Sequence, residues 1–295
     1  MKSPTPEKEN TATYLLPVFY APGMVAWAPS SPSAAKPGQA VRDWKRKRLP
    51  VRVHAPDPVT VAQLSLVHER QHVEDVLACR KDNGLYDRSR RVARSLMYTT
   101  GSMLSAARHV LRHGGAACAP CSGFHHAGFD FSELYCTFNG LMVTAAVLQQ
   151  EGLVRKVGII DCDTHPGNGT DDIIERIGAT SWVRHFTAGW EFTREDQVPA
   201  FFERLGQEVA AMADCDIVLY QAGADPHIND GGWMTTDEMR LRDALVFEGL
   251  HRRGIPVVWN LAGGYQQELD GSIPKVLALH ENTARECIRV FGQTG

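Results

Sequence analysis

Three stretches in the second half of the chain open as near-continuous apolar runs and break at Gly or Asp: VRKVGIIDCD (154–163), CDIVLYQAGAD (215–225) and IPVVWNLAGGY (255–265). Short runs rich in Val and Ile predict strands covered on both faces. Between them, VPAFFERLGQEVAAMA (198–213) and DEMRLRDALVFEGLHRRG (237–254) place apolar residues at helical intervals. Strand alternating with helix predicts a mostly parallel sheet joined by right-handed crossovers. The expected fold is therefore a single α/β domain, with helices on both faces of the sheet.

Upstream, the spacing from Val61 to Cys79 and from Ser89 to Arg112 predicts helices, and 116–128 predicts a short strand running into a Gly-punctuated loop. The stretch 21–44 holds four Pro among small residues and predicts a long irregular loop, a kind that is often functional. Residues 1–12 are polar and Pro-rich, which predicts a flexible tail ahead of one domain over 13–295. No internal repeat interrupts this pattern.

Composition acts by exclusion. The 295 residues are 43% apolar and 22% charged, with a formal net charge of −3, so no broad basic surface points to nucleic acid. The N-terminus lacks the apolar core of a signal peptide, and no run approaches the ~18 apolar residues of a membrane span. Seven cysteines without small-domain spacing fit a reducing compartment, and the expected location is the cytoplasm.

Ligands of open α/β sheets bind beyond the carboxyl ends of the strands. There this chain carries Asp161, Asp163 and His165 after one strand, Asp225 after another, Tyr265 after a third, and the tandem His125 and His126 in the loop at 116–128. Asp163, His165 and Asp225 supply two carboxylates and an imidazole, a set that suits Zn²⁺ with one position left open. Tandem histidines beside such an ion can move a proton and set local charge, each ring needing a partner on its second nitrogen. Asp161 and Asn168 are candidate partners. Blander readings stay open for each residue alone: helix caps for the Asp-Cys-Asp run, structural histidines, and a core aromatic for Tyr265. Cys118 and Cys121 form a Cys-x-x-Cys that reads as a redox pair, a second metal site or coincident core cysteines.

Taken together these segments resemble the histone deacetylase family and its acetylpolyamine amidohydrolase relatives. PCSGFHHAG (120–128) matches the family's Pro-x-x-Gly-x-His-His-Ala signature, and DCDTHPGNGT (161–170) resembles its metal loop. AGAD (222–225) looks like the segment of the third ligand, LAGGY (261–265) like that of the reactive tyrosine, and YCTFNGLMVTAA (135–146) like a wall of the acyl tunnel. LVHERQHV (66–73) and SLMYTTGSMLSAA (95–107) extend the likeness, which spans roughly 60–295.

The resemblance implies an arginase/deacetylase-like fold and one Zn²⁺ held by Asp163, His165 and Asp225. It implies that His126, paired with Asn168, is the general base and acid. His125, paired with Asp161, is its electrostatic partner, and Tyr265 hydrogen-bonds the substrate carbonyl. It assigns the substrate tunnel to Gly123, Phe124, Tyr135, Trp190, Phe192, Gly263 and Gly264. The implied reaction removes an acyl group from an acylated lysine peptide or a related acylated small amine. An acetylpolyamine amidase, a two-metal arginase-like hydrolase and a non-catalytic acyl-ligand binder are the alternatives. Asn168 resembles class II and bacterial members.

Three departures stand out. Pro166 replaces a second His that is not itself a ligand. Arg184 falls near the serine of the family's potassium site, which makes a bound K⁺ doubtful and offers a guanidinium in its place. NDGGWMTT (229–236) lacks the usual Pro-Leu, so its two glycines predict a short, soft tunnel rim that Trp233 could close.

Overall fold

The computed structural model describes residues 14–293, so the tail expected at 1–12 lies outside the described residues. The chain runs β1 (Leu16–Phe19), α1 (Lys36–Arg46), β2 (Val51–His54), α2 (Val61–Leu64), α3 (Arg70–Leu77), α4 (Arg90–His113), β3 (Ala116–Ala119) and α5 (Gly140–Gln150). It continues with β4 (Val157–Asp161), α6 (Asn168–Arg176), β5 (Val183–Thr187), α7 (Val198–Ala211), β6 (Ile217–Gln221), α8 (Thr236–His251), β7 (Val257–Asn260) and α9 (Pro274–Phe291). The seven strands form one sheet in the order β2-β1-β3-β7-β6-β4-β5, and every pairing is parallel.

Because side chains alternate along a strand, each strand feeds two cores. On β6, Val218 and Tyr220 join the apolar cluster of α1, α7, α8 and α9. Ile217 and Leu219 join that of α4, α5 and α6 on the other face. Register then sets the site. Ala119 pairs with Asn260, Asn260 with Gln221, Gln221 with Asp161, and Asp161 with Thr187. These last residues of five strands lie in one row, so the loops that follow start side by side.

The pattern misjudges two regions. The expected loop at 21–44 holds two short 3-10 turns and then the first part of α1. Pro37 sits in the first turn of that helix, where a missing N–H costs nothing, so this proline starts structure instead of breaking it. The helix expected from Val61 to Cys79 is two pieces, because His68 is drawn out of line. Its buried ring bonds the Gly128 carbonyl through Nδ1 at 2.8 Å and accepts the Asn139 N–H through Nε2 at 2.9 Å. Tertiary contacts there override local periodicity. The expected helix from Ser89 does form, with the Ser89 hydroxyl capping it.

All seven cysteines are free, and Cys118 and Cys121 are fully buried. Burial pushes both thiols up, away from the thiolate that redox or metal chemistry requires. They are core residues. Among the described residues, no helix is long and apolar enough to cross a membrane.

Candidate active site

The loop after β3 turns at Gly123, whose φ of +90° favours glycine, and delivers His125 and His126 into the row of strand ends. Both rings are buried, with centroids 4.1 Å apart. His125 Nδ1 lies 2.7 Å from Asp161 Oδ2, and His126 Nδ1 lies 2.6 Å from Asn168 Oδ1. The Asn168 amide is fixed by its other end, since Nδ2 donates to Glu133 Oε1 at 2.8 Å and a carboxylate only accepts. Oδ1 therefore faces His126, Nδ1 of that ring must carry the proton, and Nε2 keeps a lone pair.

The environments drive the two rings apart. Burial lowers His125, but the Asp161 and Asp163 carboxylates overcome it and push the group up to about 9. Burial and the neighbouring His125 charge push His126 down to about 4. Titratable neighbours with opposed shifts mark an acid–base pair.

Asp163, His165 and Asp225 offer ligand atoms that all lie within 4.8 Å of one another. His165 Nδ1 stands 3.1 Å from Asp163 Oδ1 and 3.0 Å from Asp225 Oδ2. Both carboxylates are buried, whereas the His165 side chain is 48% exposed, so the group opens outward. Asp225 Oδ1 is buried without a hydrogen-bond partner. The backbone gives way to these carboxylates. A Cβ on Gly263 would stand 2.2 Å from Asp225 Oδ2, and one on Gly223 would stand 2.6 Å from Asp225 Oδ1. An orphaned buried oxygen in a mixed O/N donor set fits a divalent cation with an open position. Among the described residues no second group of this kind occurs.

Tyr265 follows Gly263 and Gly264, the latter at φ +124°. Its N–H donates to Asp230 Oδ2 at 2.6 Å, and its ring packs 5.3 Å from that of Tyr135. Burial, then the charges of Asp163 and Asp225, hold its phenol well above the ordinary range, so it remains a hydrogen-bond donor. Beneath it lies Lys36, fully buried, with Nζ 5.4 Å from the Tyr265 ring centroid and donating to the Ala262 carbonyl at 3.0 Å. Burial lowers this ammonium to about 8, against the pull of Asp225, Asp163 and Asp230. Lys36, Glu133 and Asp230 escape sequence reasoning. The one signal for Lys36 is a lone charge in the small-residue run SPSAAKPGQA.

Several expected tunnel residues sit elsewhere. Phe192 is in the core, edge-on to Phe201 and tilted against Trp233. Trp233 is likewise buried and does not reach the rim. Phe124 is buried in the α4–α5 core, where its ring occupies the space beside Gly140. Trp190 is 62% exposed, its indole donating to Asp171 Oδ2 at 3.1 Å, and the adjacent Gly189 packs on the His165–Pro166 backbone. It flanks the mouth. Gly123 faces Cys136 Sγ, and Tyr135 lies between Tyr86 and Tyr265. The soft-rim expectation also needs correction. A Cβ on Gly232 would stand 2.2 Å from the Pro226 backbone, so this glycine serves close packing, and only Gly231 leaves open space.

Arg184 does not supply the expected charge either. It pairs with Gly158, three residues before the strand end, while Asp161 faces Thr187. Thr187 Oγ1 instead accepts the Gly167 N–H at 2.9 Å and lies 3.4 Å from Asp161 Oδ2.

A parallel α/β sheet with a histidine pair and an Asp-His-Asp group along one row of strand ends defines an arginase/deacetylase-like class. The family model for the histone deacetylase domain matches residues 38–186, half of the chain. The chain belongs to the histone deacetylase family. It is 27% identical over 255 residues to an uncharacterised protein of Picosynechococcus, covering 78% of this chain and 84% of that one. It is 36% identical over 84 residues to acetylpolyamine amidohydrolase 1 of Pseudomonas aeruginosa, a match of 27% of this chain and only 23% of the relative. In structure it is similar to the acetylpolyamine aminohydrolase of Burkholderia pseudomallei, with a TM-score of 0.71 at 19% identity over 94% of this chain and 98% of the other.

Proposed function

We propose that this protein is a zinc-dependent amidohydrolase that removes an acyl group from acylated lysine or a related acylated amine. The observation that carries this reading is the pair of histidines beside the Asp163–His165–Asp225 group, one bonded through Nδ1 to Asn168 and the other to Asp161. Zinc, when bound by Asp163, His165 and Asp225, supplies Lewis acidity that polarises an amide carbonyl and eases deprotonation of water.

The chain's own residues then divide the work. His126, its Nδ1–H committed to Asn168, takes the attacking water's proton at Nε2. It returns that proton to the amine nitrogen as the C–N bond breaks, and with the acid's remaining proton passed to the amine the products are a carboxylate and an ammonium. His125, whose pKa the Asp161 and Asp163 carboxylates raise, offsets negative charge as it builds on the carbonyl oxygen. The Tyr265 phenol donates to the same oxygen, a contribution commonly worth about 10²–10³ in turnover.

The test takes both acyl-lysine peptides and acetylated polyamines, since the family is that of the histone deacetylase domain and two relatives are named for acetylpolyamines. Zinc-loaded protein should hydrolyse at least one of these series, and Tyr265→Phe should lower kcat with metal content unchanged. No hydrolysis across both series, with zinc bound, would end the proposal. One group of metal-ligating side chains among the described residues favours one ion over two.

A further inference from the structure

The carboxylates that hold the metal in this proposal sit on two separate loops, after β4 and after β6, and one buried side chain reaches both. Arg242 of α8 has no exposed surface. Its Nη1 donates to the Cys162 carbonyl at 3.2 Å and to the Gly223 carbonyl at 2.7 Å. Cys162 immediately precedes Asp163, and Gly223 stands two residues before Asp225. The guanidinium is itself fixed by Asp243, whose Oδ1 accepts from Arg242 Nε at 2.9 Å. Asp243 is tied in turn to the sheet by the Tyr220 hydroxyl at 2.5 Å and to α9 by the Thr283 hydroxyl at 2.6 Å. A continuous path of hydrogen bonds thus runs from α9 through α8 to the backbone of both ligand loops.

We infer that Arg242, oriented by Asp243, is a positioning residue that sets the separation of Asp163 and Asp225 and so the affinity and geometry of the metal site. This rests on the proposed ligand assignment. Docking of α8 does not need the pair, because Val246, Phe247 and Leu250 already bury an apolar face against the sheet. Enclosing a guanidinium and a carboxylate is expensive and is weak evidence for a stabilising role. One guanidinium nitrogen serves both carbonyls while Nε holds Asp243, and a lysine ammonium would have to reach two carbonyls and a carboxylate from a single point. Partners that orient ligating groups typically change metal affinity by about 10- to 100-fold when removed.

The experiment uses the whole chain, with zinc affinity read by chelator competition and cobalt-substituted protein read by its visible absorption. Arg242→Lys should fold, bind zinc at least about tenfold more weakly, alter the cobalt spectrum and lower kcat with KM little changed. Val110→Ala, buried in the other core, should lose thermal stability and keep the wild-type zinc affinity and cobalt spectrum. Should Arg242→Lys fail to fold, Thr283→Val removes one hydrogen bond from Asp243 at similar volume and should weaken zinc by about tenfold, the low end of that range. Wild-type affinity and spectrum in the folded Arg242 variant, or in Thr283→Val, would overturn the inference, as would a loss no larger than that of Val110→Ala. Asp163→Asn separates the two claims. If it binds zinc normally, the ligand assignment fails; if it loses zinc while Arg242→Lys does not, only the positioning role fails.

Discussion

The two faces of the sheet treat buried polarity differently. Under α1, α8 and α9 the core encloses Lys36, Arg242, Asp243 and His280, all at 0–1% exposure. Under α4, α5 and α6 the deepest polar groups are the neutral Thr100, Ser102, Asn139, Thr144 and Thr170. His68 and His72, also on that side, are pushed by burial down to about 4 and are uncharged at neutral pH. Among the described residues outside the site, the charged side chains at 0–1% exposure, Lys36, Arg242 and Asp243, all lie on the face of α1, α8 and α9. Since desolvating a charge costs several kcal/mol, the difference says that one face is built for stability and the other also for aiming groups at the site.

Substitutions should separate those two jobs. The largest effect belongs to the ligands: Asp225→Ala should abolish zinc binding and reduce hydrolysis to background, as read by metal analysis and assay of the same preparation. Next comes the histidine pair. His126→Ala should lower kcat by about 10²–10⁴ with zinc retained, and His125→Ala should lower it less. Equal, wild-type rates in both would refute the division of labour.

Asn168→Asp sharpens the same point through pH. A carboxylate on His126 Nδ1 favours the protonated ring and raises its pKa, so the acid limb of kcat/KM should move to higher pH than in the wild type. An unmoved limb would mean that another group governs it. On the uncharged face, Leu141→Ala should cost about 2–5 kcal/mol of stability in denaturant titration with no change in zinc affinity. A large loss of affinity there would erase the contrast between the faces.

Legibility in the sequence follows the same division. The strand-end residues could be read because apolar runs stop abruptly at Gly and Asp, which places His125, His126, Asp163, His165, Asp225 and Tyr265 at one edge of a parallel sheet. Strand β1 and the edge strand β2 were not read: β2 alternates Val with Arg and His and is only half-buried, so no apolar run marks it. Helix α5 is apolar on every side, so it has no face to betray a period. Lys36 and Arg242 were illegible for a different reason. A charged residue ordinarily reads as solvated surface, and only tertiary structure reveals that these two point inward. The tunnel aromatic Phe192 and the rim residue Trp233 failed likewise: both carry the right chemistry, but packing against Phe201 turns them into the core.

The central claim is that one metal ion, held by Asp163, His165 and Asp225, serves the histidine pair. Titrating metal-free protein with zinc while following hydrolysis of an acylated amine tests it most directly. Activity should rise linearly and reach its plateau at one equivalent per chain, and hydroxamates should suppress it. A plateau only at two equivalents, or full turnover by protein stripped of metal, would contradict it.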